Sequence, residues 1–408
     1  MKNKKLTPYS KAMKLVLNSA FPLNKTKVSL KKAAGMVLRK PVRGDRPLPP
    51  FNRSAMDGYA VKCAGFKNGS ARLKIAGVLE AGSEWKGRLK KGESVKIMTG
   101  APLPDGAEAV VKVEQSRRVG NDVELTEPGI NKWLNVHRKG ADSKKGQLLL
   151  ESGSFLAPGA LAVAASVGAA TLIVTRRINV TVITTGNELI QPHRKPKPSQ
   201  IRDSNSVYLM GRFSGIGWAK ASYAGTVIDD PKKFRKAITG AIKKSDVVIV
   251  TGGVSMGDSD YTYRVLNEIG VSKKFHKAAI RPGKPVWFGS KGKTLVFGLP
   301  GNPVSVAATF HEFVMPALKK MAGLSDGDAL PMSVTLPLSQ PVRKKHALRE
   351  FRISVLANCG KSVEPVASYQ GSGDFVSASK SDGVIVLPES ARELKIGTLV
   401  EFHPWKTG

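Results

Sequence analysis

Carboxylates in loops are the first sign of chemistry in this sequence. The chain has only 31 Asp and Glu against 65 Lys and Arg, so the position of each acid is informative. Several lie in segments rich in Gly, Ser or Pro, namely Asp57, Asp142, Glu188, Asp203, Asp229, Asp258 and Asp260. Hard oxygen ligands with room for water suit Mg²⁺, which often bridges to phosphate. The six histidines and two cysteines are dispersed and show no zinc-ligand spacing.

A basic loop supplies the opposite charge. Lys277, Arg281 and Lys284 surround Pro282-Gly283, which leaves backbone amides exposed beside the cations. Such a loop can clamp an oxyanion, although a solvated basic loop is an alternative in so basic a chain. Carboxylates for Mg²⁺ together with cations for an oxyanion indicate chemistry on a phosphorylated substrate.

Three glycine-rich loops follow apolar β-forming runs. Val247–Val250 leads into Gly252-Gly253, and two other runs end in TTGNE and GLPGNP. Ligands in open α/β sheets bind beyond the carboxyl ends of strands, and we expect all three loops at one sheet edge. The loop after Val250 offers Ser255, Asp258 and Asp260, with the glycines permitting close approach of a ligand. The alternative is ordinary strand-to-helix turns, and no Walker or G-x-G-x-x-G motif is present.

Two further turns carry candidate groups. Ser54–Gly58 is a small-residue turn that displays Asp57, and Thr99 follows a predicted strand with a hydroxyl and backbone amides available to an anion. From the residues alone, a structural linker explains the first turn slightly better, and an unremarkable turn explains the second equally well.

The elements that must position these residues alternate in type along the chain. Residues 51–144 read as a mostly-β domain of short strands, residues 179–325 as alternating strands and helices, and residues 326–408 as a β domain in which, from Pro331, short strands follow with no helix evident. We therefore predict a multi-domain α/β plus β protein. Its central domain is a doubly wound, mostly parallel α/β sheet, with a small β domain inserted before it and a β-barrel-like domain at the C-terminus.

Composition limits the expected binding partners and the compartment of the protein. The net charge of +34 is compatible with nucleic acid, an anionic membrane surface or anionic small ligands. The lysines are scattered and aromatics make up only 6% of the chain, so we do not expect a nucleic-acid platform. The uncharged segment 155–174 contains Pro158-Gly159 and reads as a buried helix followed by a strand, not as a membrane span. No signal peptide is read and the two cysteines are far apart, so we expect a cytoplasmic protein.

Taken together and in order, several motifs resemble one family. They are PPFNRSAMDGYAV, IMTGAPLPDGAEAVV, TTGNEL, SQIRDSNS, TGGVSMGDSDY, IRPGKPVWFG, GLPGNPVSV and QGSGDFVSASKSDGVIVLP. This set resembles the molybdopterin molybdenumtransferase family, which includes the E domain of gephyrin-type proteins. The resemblance covers nearly the whole chain from Tyr9. It implies four subdomains, of which the first is a discontinuous linker and dimerisation domain (1–50 plus 145–178).

The resemblance also implies a reaction and a set of site residues. Adenylated molybdopterin is hydrolysed, molybdate is inserted at the dithiolene, and AMP is released with help from Mg²⁺, in a cleft of a homodimer. Family members work with a molybdopterin adenylyltransferase and with maturation factors of molybdoenzymes, which are the implied partners. The catalytic candidates are Asp57, Thr99, Glu188, Asp229 and Asp260, and the metal ligands are Asp142, Glu188 and Asp260. The substrate and anion candidates are Gly252, Gly253, Ser255, Asp258, Lys277, Arg281, Lys284, Ser305 and Ser372.

The sequence departs from the family pattern at a few places. His137 and Ala141 stand where the family often has Arg and Glu, and Arg281 stands where Lys is common. The segment around Arg349 and Arg352 is shifted by about one residue from the usual arginine motif. These changes leave open a second hypothesis, a pterin-binding scaffold of the same fold that has lost turnover.

Overall fold

The computed structural model describes residues 6–253 and 261–405. The chain divides into two compact units. The larger unit comprises the described parts of Met1–Lys40, Ser152–Leu161 and Thr171–Gly408. The smaller unit comprises Pro41–Glu151 and Ala162–Ala170. The finer division into four domains stays a prediction.

Short strands occur along the whole described chain, and most of the helices belong to the larger unit. The strands are β1 (Lys25–Ser29), β2 (Val42–Arg43), β3 (Arg53–Ser54), β4 (Gly58–Val61), β5 (Ser70–Leu79), β6 (Glu93–Ile97), β7 (Ala109–Lys112), β8 (Ser116–Val119), β9 (Asp122–Thr126), β10 (Val136–His137), β11 (Leu148–Leu150), β12 (Thr171–Thr175), β13 (Ile178–Thr185), β14 (Leu189–Ile190), β15 (Ile201–Arg202), β16 (Ala219–Val227), β17 (Val247–Thr251), β18 (Ser272–His276), β19 (Ile280–Arg281), β20 (Trp287–Lys291), β21 (Thr294–Leu299), β22 (Val334–Pro337), β23 (Val342–Arg343), β24 (Arg349–Ala357), β25 (Ser362–Pro365), β26 (Gly383–Leu387), β27 (Glu393–Leu394) and β28 (Leu399–Pro404). The helices are α1 (Tyr9–Ser19), α2 (Pro158–Ser166), α3 (Ser204–Ser214), α4 (Pro231–Lys244), α5 (Tyr261–Glu268), α6 (Pro303–Thr309), α7 (Met315–Ala322), α8 (Asp326–Ala329) and α9 (Phe375–Lys380). A π-helical segment, Phe310–Val314, joins α6 to α7.

The smaller unit is built on a β-sheet, in agreement with the strand pattern of its sequence. Six strands pair in the order β7-β4-β6-β5-β9-β8, and all pairs are antiparallel except β5 with β6. Apolar side chains on the two faces form separate clusters, one around Val111 and Val123 and one around Val95 and Ile97. The sheet therefore carries a core on each face.

The larger unit contains the predicted doubly wound sheet. Its strands run in the order β16-β13-β17-β21-β20-β18. The first four are parallel, and β20 and β18 are antiparallel additions at one edge. All five residues of β17 are buried, as expected for a strand covered by helices on both faces. The prediction of a mostly parallel sheet is confirmed, while the antiparallel edge strands were missed.

The starts of the helices that pack on this sheet are determined by the local sequence. Asp203 caps α3 by accepting a hydrogen bond from Ser206 N, and Asp230 caps α4 by accepting from Lys232 N and Lys233 N. Pro231 occupies the first turn of α4, where its missing N–H has no helical partner to lose. Asp230 follows β16 of this sheet and Asp203 follows the short strand β15, so the two caps fix where α4 and α3 begin.

The C-terminal strands form a ring. β24, β26, β28 and β22 pair in that order, and β25 pairs with the other edge of β24. Leu338, just after β22, bridges Val363 of β25, and Ser339 N donates to Val363 O at 3.0 Å. The expectation that this region has no helix is wrong, because α9 occupies Phe375–Lys380. Asp374 caps it by accepting from Ser377 N.

The uncharged segment 155–174 forms a short helix and a strand and not the membrane-spanning helix that its hydropathy alone would suggest. α2 ends at Ser166, and β12 begins at Thr171 after Gly168, whose φ is +72°. Among the described residues, no helix is long and apolar enough to cross a membrane.

A polar network lies inside the larger unit, which we call the Glu312 network. Glu312, in the π-helical segment, is fully buried and accepts hydrogen bonds from Tyr9 Oη and His403 Nδ1, each at 2.9 Å. His403 Nε2 meets Glu401 at 2.9 Å, and Arg349 pairs with Glu401 at 3.2 Å while stacking over the Tyr9 ring. The network ties the first helix to the sheet helices and to the C-terminal strands.

Candidate active site

The three glycine-rich loops open on one edge of the central sheet, as predicted. In the strand register, Thr184 of β13 lies opposite Thr251 of β17, and Thr251 lies opposite Leu299 of β21. The loops beginning at Gly186, Gly252 and Pro300 are therefore neighbours at the carboxyl ends of parallel strands. This is the position at which open α/β sheets bind ligands.

Buried hydrogen bonds fix the ends of these strands. Thr184 Oγ1 lies 3.0 Å from Asp203 Oδ2, 2.9 Å from Tyr223 Oη and 3.0 Å from Thr226 Oγ1. Asp203 is only 2% exposed and also caps α3, so it serves the fold and is not displayed to a ligand. The Asp203 carboxylate thus locks the start of α3 to β13 and β16.

Asn205 performs the same task for the other two loops. Its Nδ2 donates to Thr251 Oγ1 at 3.2 Å and to Gly301 O at 2.8 Å, while Thr251 Oγ1 donates to Pro300 O at 3.0 Å. The GLPGNP loop is held against the end of β17 by these bonds. In the sequence, Asn205 belongs to the SQIRDSNS motif.

Gly252 and Gly253 are required by close packing against β13. Their φ angles are +86° and +61°. A β-carbon on Gly252 would overlap the carbonyl oxygen of Thr185, and one on Gly253 would lie 2.7 Å from Thr185 Oγ1. The glycines therefore let β17 turn beside β13. Close approach of a ligand to them stays a prediction.

Three buried oxygen atoms surround this turn without hydrogen-bond partners in the described residues. They are Thr185 Oγ1, Thr262 Oγ1 and Asn205 Oδ1, in side chains that are 2%, 0% and 8% exposed. A β-carbon on Gly253 would lie 3.1 Å from Thr262 Oγ1, which places α5 at the same turn. Buried polar atoms normally form hydrogen bonds, so these three suit a site that a polar ligand completes.

Glu188 and Asp229 lie on adjoining loops beside the same edge. Asn187 Oδ1 accepts a hydrogen bond from Asp229 N at 3.0 Å, which joins the loop after β13 to the loop after β16. Both acids are exposed. Within the described residues, no hydrogen bond or ion pair engages the Glu188 carboxylate. The carboxylate folds over Gly186, whose φ is +145°.

The basic loop turns back on itself. Lys277, with φ +69°, donates from its N–H to Val286 O at 2.9 Å, and Ala278 N donates to Lys284 O at 3.0 Å. Gly283 packs so closely on α6 that a β-carbon would lie 2.5 Å from Thr309 Cγ2. Ser305, predicted near an anion, is buried in α6 beside this contact at 4% exposure.

Arg281 and Ser372, two of the predicted anion-binding residues, line one pocket of about 800 Å³. Ser372 is held to the start of α6 because Asn302 Nδ2 donates to its Oγ at 2.7 Å and Val304 N donates to its carbonyl at 3.0 Å. The other lining residues are Ser368, Gln370, Gly371, Gly373, Asp374, Val376, Ser377 and Lys380. The basic loop and the start of α9 therefore meet at one polar concavity.

The shifted arginine motif is occupied by internal partners. Arg352 Nε donates to Glu350 Oε1 at 2.7 Å and its Nη2 donates to Arg343 O at 3.0 Å. Arg349 pairs with Glu401 in the Glu312 network. Glu350 lies opposite Arg281 in the pairing of β24 with β19, so the motif supports the strand that carries Arg281.

In the smaller unit, Asp57 and Thr99 form one constellation. Asp57 Oδ1 accepts from Thr99 Oγ1 at 2.6 Å and from Thr99 N at 2.7 Å. The hydroxyl bond and then the amide bond hold the pKa of the Asp57 carboxyl below its usual range. Gly100 N donates to Ser54 O, and Ser54 N to Ala101 O, so backbone bonds join the two turns. The hydroxyl and amide that Thr99 was expected to offer to an anion are engaged by Asp57.

His137 and Asp142 form a second constellation in that unit. His137 Nε2 lies 3.0 Å from Asp142 Oδ1, and its Nδ1 lies 3.4 Å from Arg53 Nη2. The histidine at the position where the family often has arginine thus still contacts the acid. Ala141 is exposed and leaves no second carboxylate beside Asp142.

Three predicted residues, Ser255, Asp258 and Asp260, lie outside the described residues. Within residues 6–253 and 261–405, no group of three His, Cys, Asp or Glu side chains clusters as a preformed metal site. Glu188 and Asp142, the other predicted ligands, belong to the larger and the smaller unit respectively.

Comparisons with known proteins cover nearly the whole chain. Three family models match in order: the MoeA N-terminal region (domain I and II) over residues 7–168, a "Probable molybdopterin binding domain" over 181–320, and the MoeA C-terminal region (domain IV) over 335–405. A molybdopterin molybdenumtransferase of Haemophilus influenzae is 32% identical over 396 residues, which is 96% of this chain and 96% of that protein. The chain belongs to the molybdopterin molybdenumtransferase family.

Other members of the family agree in length and structure. A molybdopterin molybdenumtransferase of Staphylococcus aureus is 30% identical over 400 residues, covering 97% of this chain and 94% of that one. Two structures of molybdopterin biosynthesis MoeA protein from Pyrococcus horikoshii match with TM-scores of 0.79 and 0.84. They are 32% and 29% identical, cover 99% and 98% of this chain, and are themselves matched over 100% of their length. The resemblance read from the eight motifs is thereby confirmed at the level of the family.

Proposed function

We propose that this chain inserts molybdenum from molybdate into adenylated molybdopterin and releases AMP. This chain matches family members along nearly its whole length. The observation that carries the proposal is that its three strand-end loops meet at one edge of the central sheet, where buried oxygen atoms beside the Gly252-Gly253 turn have no hydrogen-bond partner in the described residues. In the reaction, water cleaves the bond between the adenylate and the terminal phosphate. The two dithiolene thiols then form Mo–S bonds in place of one oxide of molybdate, and that oxide leaves as water with the two thiol protons.

The described residues suit separate parts of this reaction. Thr185, Thr262 and Asn205 can complete hydrogen bonds to the polar pterin or phosphate near Gly252-Gly253. Arg281 and Ser372 share a pocket wide enough for an oxyanion such as molybdate or phosphate, with Lys277 and Lys284 on the same loop. Glu188 and Asp229 are exposed carboxylates beside the strand ends, and there they can orient water or a bound cation.

The described residues can supply only one or two ligands to the implied Mg²⁺. Glu188 has no partner in the described residues, while Asp142 is engaged by His137 and no three-acid cluster is formed in those residues. Mg²⁺ commonly binds one or two carboxylates and completes its shell with water and substrate phosphate. Glu188 would hold it in this manner, and the ion would neutralise charge on the phosphates.

The direct test is AMP release. Purified protein is given adenylated molybdopterin, Mg²⁺ and molybdate, and AMP is followed by chromatography, with heat-treated protein as control. We expect release that depends on molybdate and falls when the divalent ion is chelated. Intact substrate with no molybdate-dependent release would contradict the proposal. Tight binding without release would instead support the non-catalytic scaffold.

We also propose a cytoplasmic homodimer that receives its substrate from a molybdopterin adenylyltransferase and delivers its product to maturation factors of molybdoenzymes. Cys63 and Cys359 are both free thiols, which agrees with a reducing compartment. Light scattering coupled to size exclusion should give twice the 43.7 kDa mass of one chain. A monomeric mass at micromolar concentration would contradict the dimer.

A further inference from the structure

A second concavity lies in the larger unit between α4 and the edge strand β16, and we call it the α4 groove. Its volume is about 470 Å³, and its lining includes Thr181, Ser222, Ala224, Lys236, Gly240 and Lys244. The hydroxyls of Thr181 and Ser222 lie 3.4 Å apart, and Thr181 Oγ1 also lies 2.6 Å from Ser245 Oγ. None of the proposed catalytic or anion-binding residues lines the groove.

Small residues keep the groove open. Gly240 is in the interior of α4, and a β-carbon there would meet no atom within 4 Å. A glycine inside a helix costs about 1 kcal/mol relative to alanine. Packing does not require this glycine, because the buried face of α4 is formed by Phe234, Ile238 and Ala241. The absence of a side chain at this position therefore preserves space over the groove floor.

The groove is electropositive. Lys233, Lys236 and Lys244 line it, no acidic residue does, and the described ion pairs include none of these lysines. The acids near α4 are already engaged: Asp230 caps the helix, and Glu268 pairs with Arg235. Asp246 pairs with Arg176. Lys233 lies near enough to Asp230 to interact with its carboxylate, whereas Lys236 and Lys244 have no ion-pair partner in the described residues and would attract an anionic ligand.

The spacing of the lysines favours an extended ligand. Lys233 and Lys244 are eleven residues apart on α4, which corresponds to about 16 Å along a helix axis. About five residues of an extended strand cover the same distance. β16 pairs with β13 on one side, and no described strand pairs with its other side. Its free backbone groups can therefore pair with an added strand.

We propose that the α4 groove binds an extended acidic segment of a partner protein, which pairs with the free edge of β16. Its acidic side chains contact the lysines near both ends of the groove. Small or β-branched side chains between them cover Ala224, Ala237 and Gly240. A nucleotide fits less well because no lining residue is aromatic and base recognition commonly uses stacking. The proposal is independent of the reaction at the sheet edge.

Fluorescence anisotropy with a defined peptide tests this. The probe has eight residues, with two Glu at each end and alternating Val and Thr between them. Two peptide controls have the four Glu contiguous or replaced by Gln. We expect the spaced peptide to bind most tightly and its affinity to fall with salt. Equal binding of the contiguous peptide, or no binding of the spaced one at low salt, would overturn the proposal.

Matched variants locate the binding. Gly240→Leu fills the groove, and Gly211→Leu is its control because Gly211 lies in α3 with equally open space. Lys236→Ala with Lys244→Ala removes two groove charges, and Lys273→Ala with Lys274→Ala removes two exposed charges on β18. We expect each groove variant to weaken binding about tenfold and each control to change it less than about twofold. Equal losses in the groove and control variants would show general charge attraction and overturn the proposal.

Polyphosphate and a single-stranded oligonucleotide complete the set of probes. If either polyanion binds directly and is weakened by the groove variants but not by the controls, while the spaced peptide does not bind, the site is for that polyanion and the peptide proposal is wrong. AMP release by Gly240→Leu and by the Lys236, Lys244 double variant should equal that of the wild type. This result would separate the groove from the proposed reaction.

Discussion

Carboxylates at the carboxyl edge of the central sheet and in the Glu312 network differ in their exposure and in their hydrogen bonds. At the edge, Glu188 is exposed with no partner in the described residues, and buried oxygens nearby lack hydrogen bonds. In the network, the Glu312 carboxylate is fully buried and both of its oxygens accept hydrogen bonds. The polar groups at the edge have no partner in the described residues and can bind a ligand, whereas the polar groups of the network bond to one another and join parts of the fold.

The largest effect that should follow from this contrast is on activity. Glu188→Gln should lower AMP release about 10²- to 10⁴-fold, in the range for removal of a group that moves or orients a proton. The midpoint of thermal unfolding should stay unchanged because no described group bonds to the carboxylate. Glu80→Gln, another exposed acid, is the control. Normal release by Glu188→Gln would exclude this carboxylate from the reaction.

The converse applies to Glu312. Glu312→Ala should lower the free energy of unfolding by about 3–5 kcal/mol, because it leaves the His403 imidazolium buried beside a cavity. Denaturant melts measure this loss, and Glu389→Ala on the surface is the control. AMP release per folded molecule should remain within a few-fold. A loss of activity at full stability would place Glu312 in the reaction instead.

The network should also make stability depend on pH. Burial alone would lower the pKa of His403, but Glu312 and Glu401 raise it to about 9, against about 6.5 in an unfolded chain. The charged His403 side chain therefore stabilises the folded state. Its contribution to the free energy of unfolding is roughly 3 kcal/mol, is fully present below pH 6.5, and is lost as the pH rises through 9. Tyr9 also faces Glu312, but burial and the Glu312 carboxylate raise the pKa of Tyr9 well above its ordinary value, so its phenol stays neutral in this window.

Unfolding free energies at pH 6.5 and pH 9 measure this dependence. His403→Gln should be less stable at pH 6.5 and should lose most of the difference between the two values. An unchanged slope in His403→Gln would assign the pH dependence to other groups.

At the sheet edge, the turn after β17 should tolerate no side chain. Gly252→Ala adds a contact with the Thr185 carbonyl to the cost of a positive φ, whereas Gly270→Ala carries only the positive φ because space around it is open. We expect Gly252→Ala to be less stable than Gly270→Ala by about 1–3 kcal/mol and to lose AMP release. Equal stability of the two variants would mean that the turn relaxes easily.

The smallest effect concerns Asp57 in the smaller unit. Thr99→Val removes the hydroxyl bond, which is the main cause of the lowered Asp57 pKa, so that pKa should rise towards its ordinary value. The acidic limb of the pH profile of AMP release should move to higher pH, with little change near neutrality. Thr99→Ser keeps the hydroxyl and should behave like the wild type. Identical limbs in all three proteins would separate Asp57 from the titration of the reaction.

The sequence predicted the sheet edge well because its signals are local. Apolar runs ending in glycine mark β13, β17 and β21, and an Asp before each helix start marks α3 and α4. Parallel pairing then brings the strand ends together without further information. Arg281 and Ser372 were identified differently, through the resemblance to the family motifs, and the structure places them in one pocket.

The features that the sequence did not reveal depend on residues far apart in the chain. Asp57 and Thr99 are 42 positions apart, and Glu312 and His403 are 91 positions apart. The amide of Asn205 holds the loop at Gly301, 96 positions later. No periodicity connects such pairs, so only the folded backbone reveals them. Helix α9 was missed because its six residues are fewer than a clear helical repeat needs.

The bonds around Glu312 also bear on how the chain is made. Tyr9 is synthesised 303 positions before Glu312, and His403 is synthesised 91 positions after it. A nascent chain carries Glu312 without its imidazole partner until β28 has left the ribosome. Because a buried unpaired charge is strongly disfavoured, the larger unit should complete its core only after β28 has emerged. A chain terminated before His403 should therefore accumulate as a partly folded, protease-sensitive species, even though it retains the entire central sheet.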